Sequence, residues 1–324
     1  MNKGYGLKYM IGGGLCMTDI GILDPRKTGF LTEDFRFFHL RDEKSPSYPF
    51  HYHDFLKIVV LLGGKVRYVI EGRAYTLHPY DIVLVNRGQI HRAEVEEGYP
   101  YERMILYLST GFLNRFSEPE HRLEQCFDTA AYRHSSVLRL DKDGRGRILS
   151  LLLRLEQAEN EKRKMQKEFA SPLLCRLLCL EFLVELNRLS IRDQAQYLAT
   201  GILDYRVSAL LAYIGDHLGE DLSISALSAV SCLSPYHMMR IFKEETGYTI
   251  GAYVTEKRLL HAKDLLSQGQ SATDACFQSG FSHYSTFLKA YKQHFHCLPK
   301  RRGKSLSGEA KMDPADSSAG PTGQ

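Results

Sequence analysis

Two stretches near the C-terminal end repeat one pattern: "LSAVSCLSPYHMMRIFKEETG" (227–247) and "DACFQSGFSHYSTFLKAYKQHFH" (274–296). Leu233-Ser234 matches Phe281-Ser282. Arg240-Ile241-Phe242-Lys243 matches Lys289-Ala290-Tyr291-Lys292, with one extra residue in the second copy. Each copy reads as a helix, a tight turn, a Ser-capped helix and a run of apolar and basic residues, which is the order of a helix-turn-helix. Ser231-Cys232 and Ser279-Gly280 supply the turns. Ser234 is placed to cap its helix, with Pro235 at the first helical position where its missing N–H costs nothing, and Ser282 is expected to cap the second. Between the copies, "TIGAYVTEKRLLHAKDLLSQG" carries Ile250, Tyr253, Val254, Leu259, Ala262, Leu265 and Leu266 at helical spacing. It predicts one long helix, capped by Thr249 and ended at Gly269.

The faces of the two second helices divide by chemistry. Met238, Ile241 and Phe242 share one face and are expected in the core; Phe287 and Tyr291 are the matching pair. Tyr236, His237, Met239 and Arg240 project elsewhere, as do His283, Tyr284, Ser285, Leu288 and Lys289. An arginine grips guanine O6 and N7 bidentately, and aromatic or thioether groups pack on thymine methyls. Ser234, Lys243, Thr249, Ser282 and Lys292 fall where a phosphate backbone would run. Held by a stiff spacer, two such helices would enter successive major grooves about 34 Å apart. A solvated helix face explains one copy as well; it explains two copies in register poorly.

Residues Tyr205 to Gly303 resemble the AraC/XylS family of bacterial transcription regulators, on "ISALSAVSCLSPYHMMRIFKEETG", "AYVTEKRLLHAKDLL" and "ATDACFQSGFSHYSTFLKAYKQHFHCLPKRRG". The resemblance implies sequence-specific binding to double-stranded operator DNA, recruitment of RNA polymerase, and control by a ligand-responsive dimer. Met239 and Leu288 stand where relatives often place a polar group, which implies fewer direct hydrogen bonds to bases.

The N-terminal part has a different period. From about residue 30 to 110, "KIVVLL", "KVRYVIEGRAYTL", "DIVLVN" and "RMILYLS" are β-branched and aromatic runs separated by Gly63-Gly64, Glu71-Gly72, His78-Pro79 and Arg87-Gly88. Short strands with glycine turns predict a sandwich or small barrel. His51 and His53 lie two apart on one face of a strand, and His91 follows. This spacing resembles the cupin fold, in which a His-x-His pair, an acid and a later His form a metal site. Here Lys57 holds the acid position and cannot ligate as an ammonium; Tyr80 and Asn86 replace the usual Gly and Pro. Three readings stay open: a metal site, structural hydrogen bonding, or an effector site of His51, His53, Lys57 and His91 for a sugar or other polar or anionic metabolite.

From 111 to 190 the period is helical. Ile148, Leu151, Leu152, Leu155 and Ala158 form one stripe. Ser171 reads as an N-cap followed by Pro172 at the first helical position, starting a helix whose apolar face, Leu173 through Leu186, is wider than one partner requires, so it is either buried in its own domain or a dimer seam, or both. Residues 191–204 read as a linker, 205–304 as the DNA-binding domain, and 305–324, rich in Ser, Gly, Pro and Ala, as a disordered tail. The expected class is multidomain α+β: a cupin-like β-barrel, a helical dimerisation segment and an all-α double helix-turn-helix.

Composition narrows the alternatives. Net charge is only +4 over 324 residues, so DNA binding must come from local basic faces. Seven cysteines without a CxxC pair suit reduced thiols in a cytoplasmic protein. The most apolar stretch, 172–189, holds Arg176, Glu181, Glu185 and Arg188, which argues against a membrane span. No phosphate-binding Gly-Lys-Ser/Thr occurs, and no cofactor is called for. The leading reading is a homodimeric transcription regulator and not an enzyme; the rival is a metal-dependent cupin enzyme with a DNA-binding appendage.

Overall fold

The structure is a computed structural model that describes residues 31, 33–43, 48–163, 169–192, 195–199, 201–202 and 204–300. The chain divides into two compact units, the first through Ser208 together with Glu245–Gly247, the second holding the remainder from Ala209. The expected tail at 305–324, and residues 301–304 of the basic run before it, lie outside the described residues.

The first unit is built on two antiparallel sheets. One has six strands in the order β1 (Phe35–Asp42), β7 (Tyr101–Leu108), β2 (Leu56–Gly63), β5 (Ile82–Val85), β8 (Val137–Leu140) and β9 (Ala195–Tyr197). The other runs β10 (Gly201–Ile202), β4 (Arg73–Leu77), β3 (Val66–Ile70) and β6 (His91–Val95). The β3–β4 hairpin turns through Glu71 and Gly72, both at positive φ (49° and 71°). Such a turn matches the twist of the flanking strands.

Strand β2 shows why its sequence does not alternate. Ile58 and Val60 pack toward the helices, while Val59 and Leu61 pack with residues of the four-stranded sheet. Both faces are covered, so an uninterrupted apolar run is required. Lys57 has the parity of Val59 and Leu61. It is therefore drawn into the space between the sheets, and it is buried.

Helices α1 (Thr110–Phe116), α2 (Gln125–Tyr132), α3 (Lys142–Arg163) and α4 (Ser171–Ile191) follow the strands. The α3 stripe Ile148, Leu151, Leu152, Leu155 and Ala158 is buried, as expected. Helix α4 splits its wide apolar face. Cys175, Leu178, Cys179, Phe182, Leu183 and Leu186 are buried, whereas Leu173, Leu174, Leu177 and Val184 are exposed.

Three local expectations change. The stretch 111–190 is not purely helical, because Val137–Leu140 forms β8 beside β5. The stretch 191–204 is not a bare linker: β9 pairs with β8 and β10 with β4, so it contributes an edge to each sheet. Helix α4 includes Ser171; Ala170, in a left-handed conformation (φ 56°), is its cap. Short strands of three or four residues carry too little periodicity to announce themselves.

The C-terminal region is helical: α5 (Tyr205–Asp216), α6 (Ile224–Ser231), α7 (Pro235–Thr246), α8 (Ile250–Ser267), α9 (Ala272–Gln278) and α10 (Tyr284–Phe295). The spacer helix α8 is capped as expected, the Thr249 hydroxyl accepting the Ala252 N–H at 3.3 Å. It buries Ile250, Tyr253, Val254, Leu259, Ala262 and Leu266 and stops before Gly269, at φ 92°. In the middle of α8, Arg258 donates to the carbonyls of Leu218 (2.9 Å) and Glu220 (2.7 Å). These bonds tie the loop between α5 and α6 to the spacer. Gly280, at φ 93° in the second turn, lies against the same place: a Cβ there would sit 2.0 Å from the Leu218 carbonyl oxygen.

Candidate nucleic-acid interface and sensing site

Helices α7 and α10 are each anchored by the residues assigned to the core. Met238 and Phe242 are fully buried and Ile241 nearly so. Phe242 meets Tyr253 of α8 edge-on at 5.6 Å. In the second copy, Phe287 lies between Phe281 (5.3 Å) and Tyr291 (5.4 Å), and both Phe287 and Tyr291 are buried. These aromatic anchors fix the roll of each helix, which decides what faces solvent.

On α7, Tyr236 is 75% exposed; Met239 and Arg240 are exposed, and His237 is half-buried. On α10 and its approach, His283, Tyr284, Ser285 and Lys289 are exposed and Leu288 is half-buried. Ser234, Lys243, Thr249, Ser282 and Lys292 are all exposed. The structure thus presents on two helices the groups that a base edge and a phosphate chain require: guanidinium, ammonium, hydroxyl and aromatic.

The two helix starts differ from expectation in one respect. Ser234 occupies the cap position of α7, its carbonyl accepting the Met238 N–H at 2.9 Å. In the second copy the cap is His283, with no side-chain capping bond, and its carbonyl accepts the Phe287 N–H at 3.1 Å. Ser282 is therefore not the cap. The extra residue of the second copy shifts the helix start by one, which leaves the Ser282 hydroxyl outside the helix. In helix register, Tyr236, Met239, Arg240 and Lys243 correspond to Ser285, Leu288, Lys289 and Lys292.

That register exposes residues the sequence reading passed over. Thr286, exposed, is the counterpart of His237. Glu244 holds Arg240: the Arg240 Nη1 donates to its two carboxylate oxygens at 3.1 and 3.2 Å, and Nη2 lies 3.3 Å from His237 Nδ1. The four-residue spacing of Arg240 and Glu244 was the available signal.

The candidate sensing site lies in the first unit. His51 bridges to His91, exchanging backbone hydrogen bonds of 3.1 and 2.9 Å. Their rings are 4.2 Å apart, and His53 is 4.9 Å from His91. Lys57 Nζ lies 3.3 Å from His91 Nε2. All four expected residues are buried and brought together.

Each ring directs Nδ1 at a backbone carbonyl: His51 to Pro49 (2.9 Å), His53 to Phe55 (2.7 Å), His91 to Gln89 (2.9 Å). A carbonyl has no proton to give, so each Nδ1 is the donor and each Nε2 keeps its lone pair. Burial first, then the nearby Lys57 charge, lowers the His51 pKa to about 4. Burial likewise holds His53 and His91 well below the usual imidazole range. The rings are neutral at physiological pH. Burial, with a smaller contribution from Arg103, pushes Lys57 down to about 7. Arg103 itself is neutralised, donating to Asp42 and to the Tyr48 hydroxyl.

Three Nε2 lone pairs would suit a metal, but Lys57 donates to one of them. Among the described residues no three His, Cys, Asp or Glu groups are placed to hold a metal ion.

Comparison with known proteins matches a domain in each of the two regions. Residues 37–174 match the AraC-like ligand-binding domain, and residues 227–304 match a helix-turn-helix domain. The chain is an AraC-family transcription regulator. The HTH-type transcriptional activator RhaS of Escherichia coli is 25% identical to this AraC-type chain over 260 residues, which is 79% of this chain and 88% of RhaS. ToxT from Vibrio cholerae O395 aligns over 82% of this chain and 95% of its own, at 13% identity and a TM-score of 0.34. The C-terminal domain of AraT, a response regulator from Geobacillus stearothermophilus, aligns over 34% of this chain and 96% of its own, at 22% identity and a TM-score of 0.32. Among the described residues no helix is long and apolar enough to cross a membrane.

Proposed function

We infer that this regulator reads an operator with α7 and α10 and is controlled by a small molecule bound between its two sheets. Tyr236, His237, Met239 and Arg240 contact bases in one major groove; His283, Tyr284, Ser285, Leu288 and Lys289 contact bases in the next. Ser234, Lys243, Thr249, Ser282 and Lys292 contact phosphates. His51, His53, Lys57 and His91 bind the effector. The observation that carries this reading is the pairing of two exposed polar helix faces with buried aromatic anchors in matched register.

The exposed row Leu173, Leu177 and Val184 on α4 supports a homodimer formed through that helix. A dimer carries four reading helices and favours paired half-sites. The protein works in the cytoplasm, where it meets DNA and RNA polymerase, and it is not an enzyme. RhaS is a transcriptional activator by its name, and nothing in the comparisons favours the enzyme alternative.

The test is binding-site selection from random duplexes with the full-length chain at moderate ionic strength. Enrichment of a two-part motif, with the parts about one helical turn apart, is the expected result. Equal retention of all sequences overturns the reading.

A further inference from the structure

We propose that the small molecule held between the sheets is a hydroxy acid, its carboxylate paired with Lys57 and a hydroxyl donating to His53. The proposal rests on the effector reading above and narrows it to one chemical class.

The argument begins with an unbalanced set of partners. His53 is fully buried; its Nδ1 is committed to the Phe55 carbonyl, and its Nε2 has no hydrogen-bond partner. Because that nitrogen carries a lone pair, the missing partner is a donor. His51 leaves the same lone pair at Nε2, for the same reason. The ring of His91 already receives Lys57. The site therefore offers acceptors that want O–H groups, which excludes a ligand built from acceptors alone.

Lys57 supplies the second requirement. It is the amine of the cluster, and among the described residues its Nζ meets His91 Nε2 at 3.3 Å and forms no ion pair with a carboxylate. Arg103 has its own acid in Asp42 and its own hydroxyl in Tyr48. A buried amine with three neutral imidazoles and no anion is stable as a charge only when a ligand brings the counter-ion. Its three N–H bonds exceed what His91 Nε2 can accept, so donors remain for a carboxylate. A neutral polyol would meet the imidazoles and leave Lys57 without an anion. A plain fatty or aromatic acid would meet Lys57 and leave His53 Nε2 orphaned. A molecule with both groups satisfies both. The His53 ring lies 4.9 Å from that of His91, and Lys57 Nζ lies 3.3 Å from His91 Nε2, so both demands arise beside the same residue of β6.

The test is thermal stabilisation of the full-length protein by a size ladder of hydroxy acids: glycolate, L-lactate, D-glycerate and D-gluconate. Glycerol and D-glucose lack the acid; acetate, propionate and butyrate lack the hydroxyl. At least one hydroxy acid is expected to bind ten-fold or more tightly than its matched controls. Lys57→Met, which removes a buried amine and keeps an unbranched side chain of similar length, is expected to abolish the preference for acids over polyols. His53→Phe is expected to abolish the preference for hydroxy acids over plain acids. A polyol binding as well as its acid, or a plain acid as well as its hydroxy counterpart, overturns the class while leaving the effector reading intact. Failure of every compound in the ladder to stabilise the protein also overturns the class. Operator selection without ligand, run beside it, shows independently whether DNA reading stands.

Discussion

The two helix-turn-helix copies place the same faces outward yet are held by different means. In the first copy the turn passes through Cys232, a left-handed residue (φ 54°) that carries a side chain and is exposed. In the second it passes through Gly280, pressed against the Leu218 carbonyl and the Arg258 guanidinium. The reading groups differ too. Arg240 is gripped by Glu244, whereas its counterpart Lys289 has the uncharged Gln293 one turn on. A planar guanidinium oriented by a neighbour suits bidentate reading of a base, and a mobile ammonium suits general attraction. The difference teaches that a duplicated motif need not divide its labour evenly: the first copy is equipped for discrimination, the second is locked more tightly into its scaffold.

The largest test of this contrast is Gly280→Ala. A methyl group 2.0 Å from the Leu218 carbonyl oxygen, on a backbone at φ 93°, forces the second turn away from the α5–α6 loop and from Arg258, which ties that loop to the spacer helix. The expected loss is about 3–5 kcal/mol of stability, read by chemical denaturation. A loss below about 1 kcal/mol would show that the second copy is not locked.

Next in size, Arg240→Ala is expected to cost about 1–3 kcal/mol of specific binding and to relax preference at one or two base pairs. Lys289→Ala should weaken binding with less change in preference. Equal loss of discrimination in both variants breaks the contrast, and uniform loss on all sequences reassigns Arg240 to the phosphate chain.

Smaller again, Lys292→Ala should lower the slope of log affinity against log salt by about 1. An unchanged slope removes Lys292 from the interface. The smallest effect is a gain: Cys232→Gly is expected to raise stability by about 0.5–1 kcal/mol, since glycine adopts the left-handed turn without strain. No gain would mean that the first turn is as well accommodated as the second.

The sheet interior adds a pH test. Lys57 is held near 7 when folded, far below its ordinary value of about 10.4 when unfolded. The unfolded chain therefore binds the extra proton between these values, and stability rises with pH from about 7 to about 10. Lys57→Met removes that slope and should stabilise the unliganded protein by about 1–4 kcal/mol at neutral pH. A stability difference independent of pH across this window would show that Lys57 is charged in the folded state.

Much of this was legible in the residues. The α8 stripe, its Thr249 cap and its Gly269 stop follow from spacing alone, because helical period persists over five turns. The burial of Lys57 follows from strand parity on β2, but His51 and His53, expected on one face of a strand, precede β2: His51 forms an isolated bridge to His91, His53 lies in no strand, and Tyr52 between them is buried too, so alternation does not account for them. What stayed hidden was short or relational. Strands β8, β9 and β10 are too brief to show a period. The cap at His283 depends on one inserted residue, whose effect on register no single copy reveals. Glu244 reads as ordinary surface charge until Arg240 is seen turned toward it. Tyr80, standing where the cupin pattern has glycine, adopts a glycine-like backbone (φ 76°); the backbone shape is kept although the residue is not.

One small element has a reach beyond its size. Strand β10 is two residues long and joins the outermost position of its sheet through Gly201 and Ile202 opposite Ala74 and Arg73. Leu198, just before it, is pinned more firmly, its N–H donating to Val137 and its carbonyl accepting from Ser135. Each sheet thus closes on residues that shortly precede α5, so both sheet edges and the start of the helical region share one short stretch of chain.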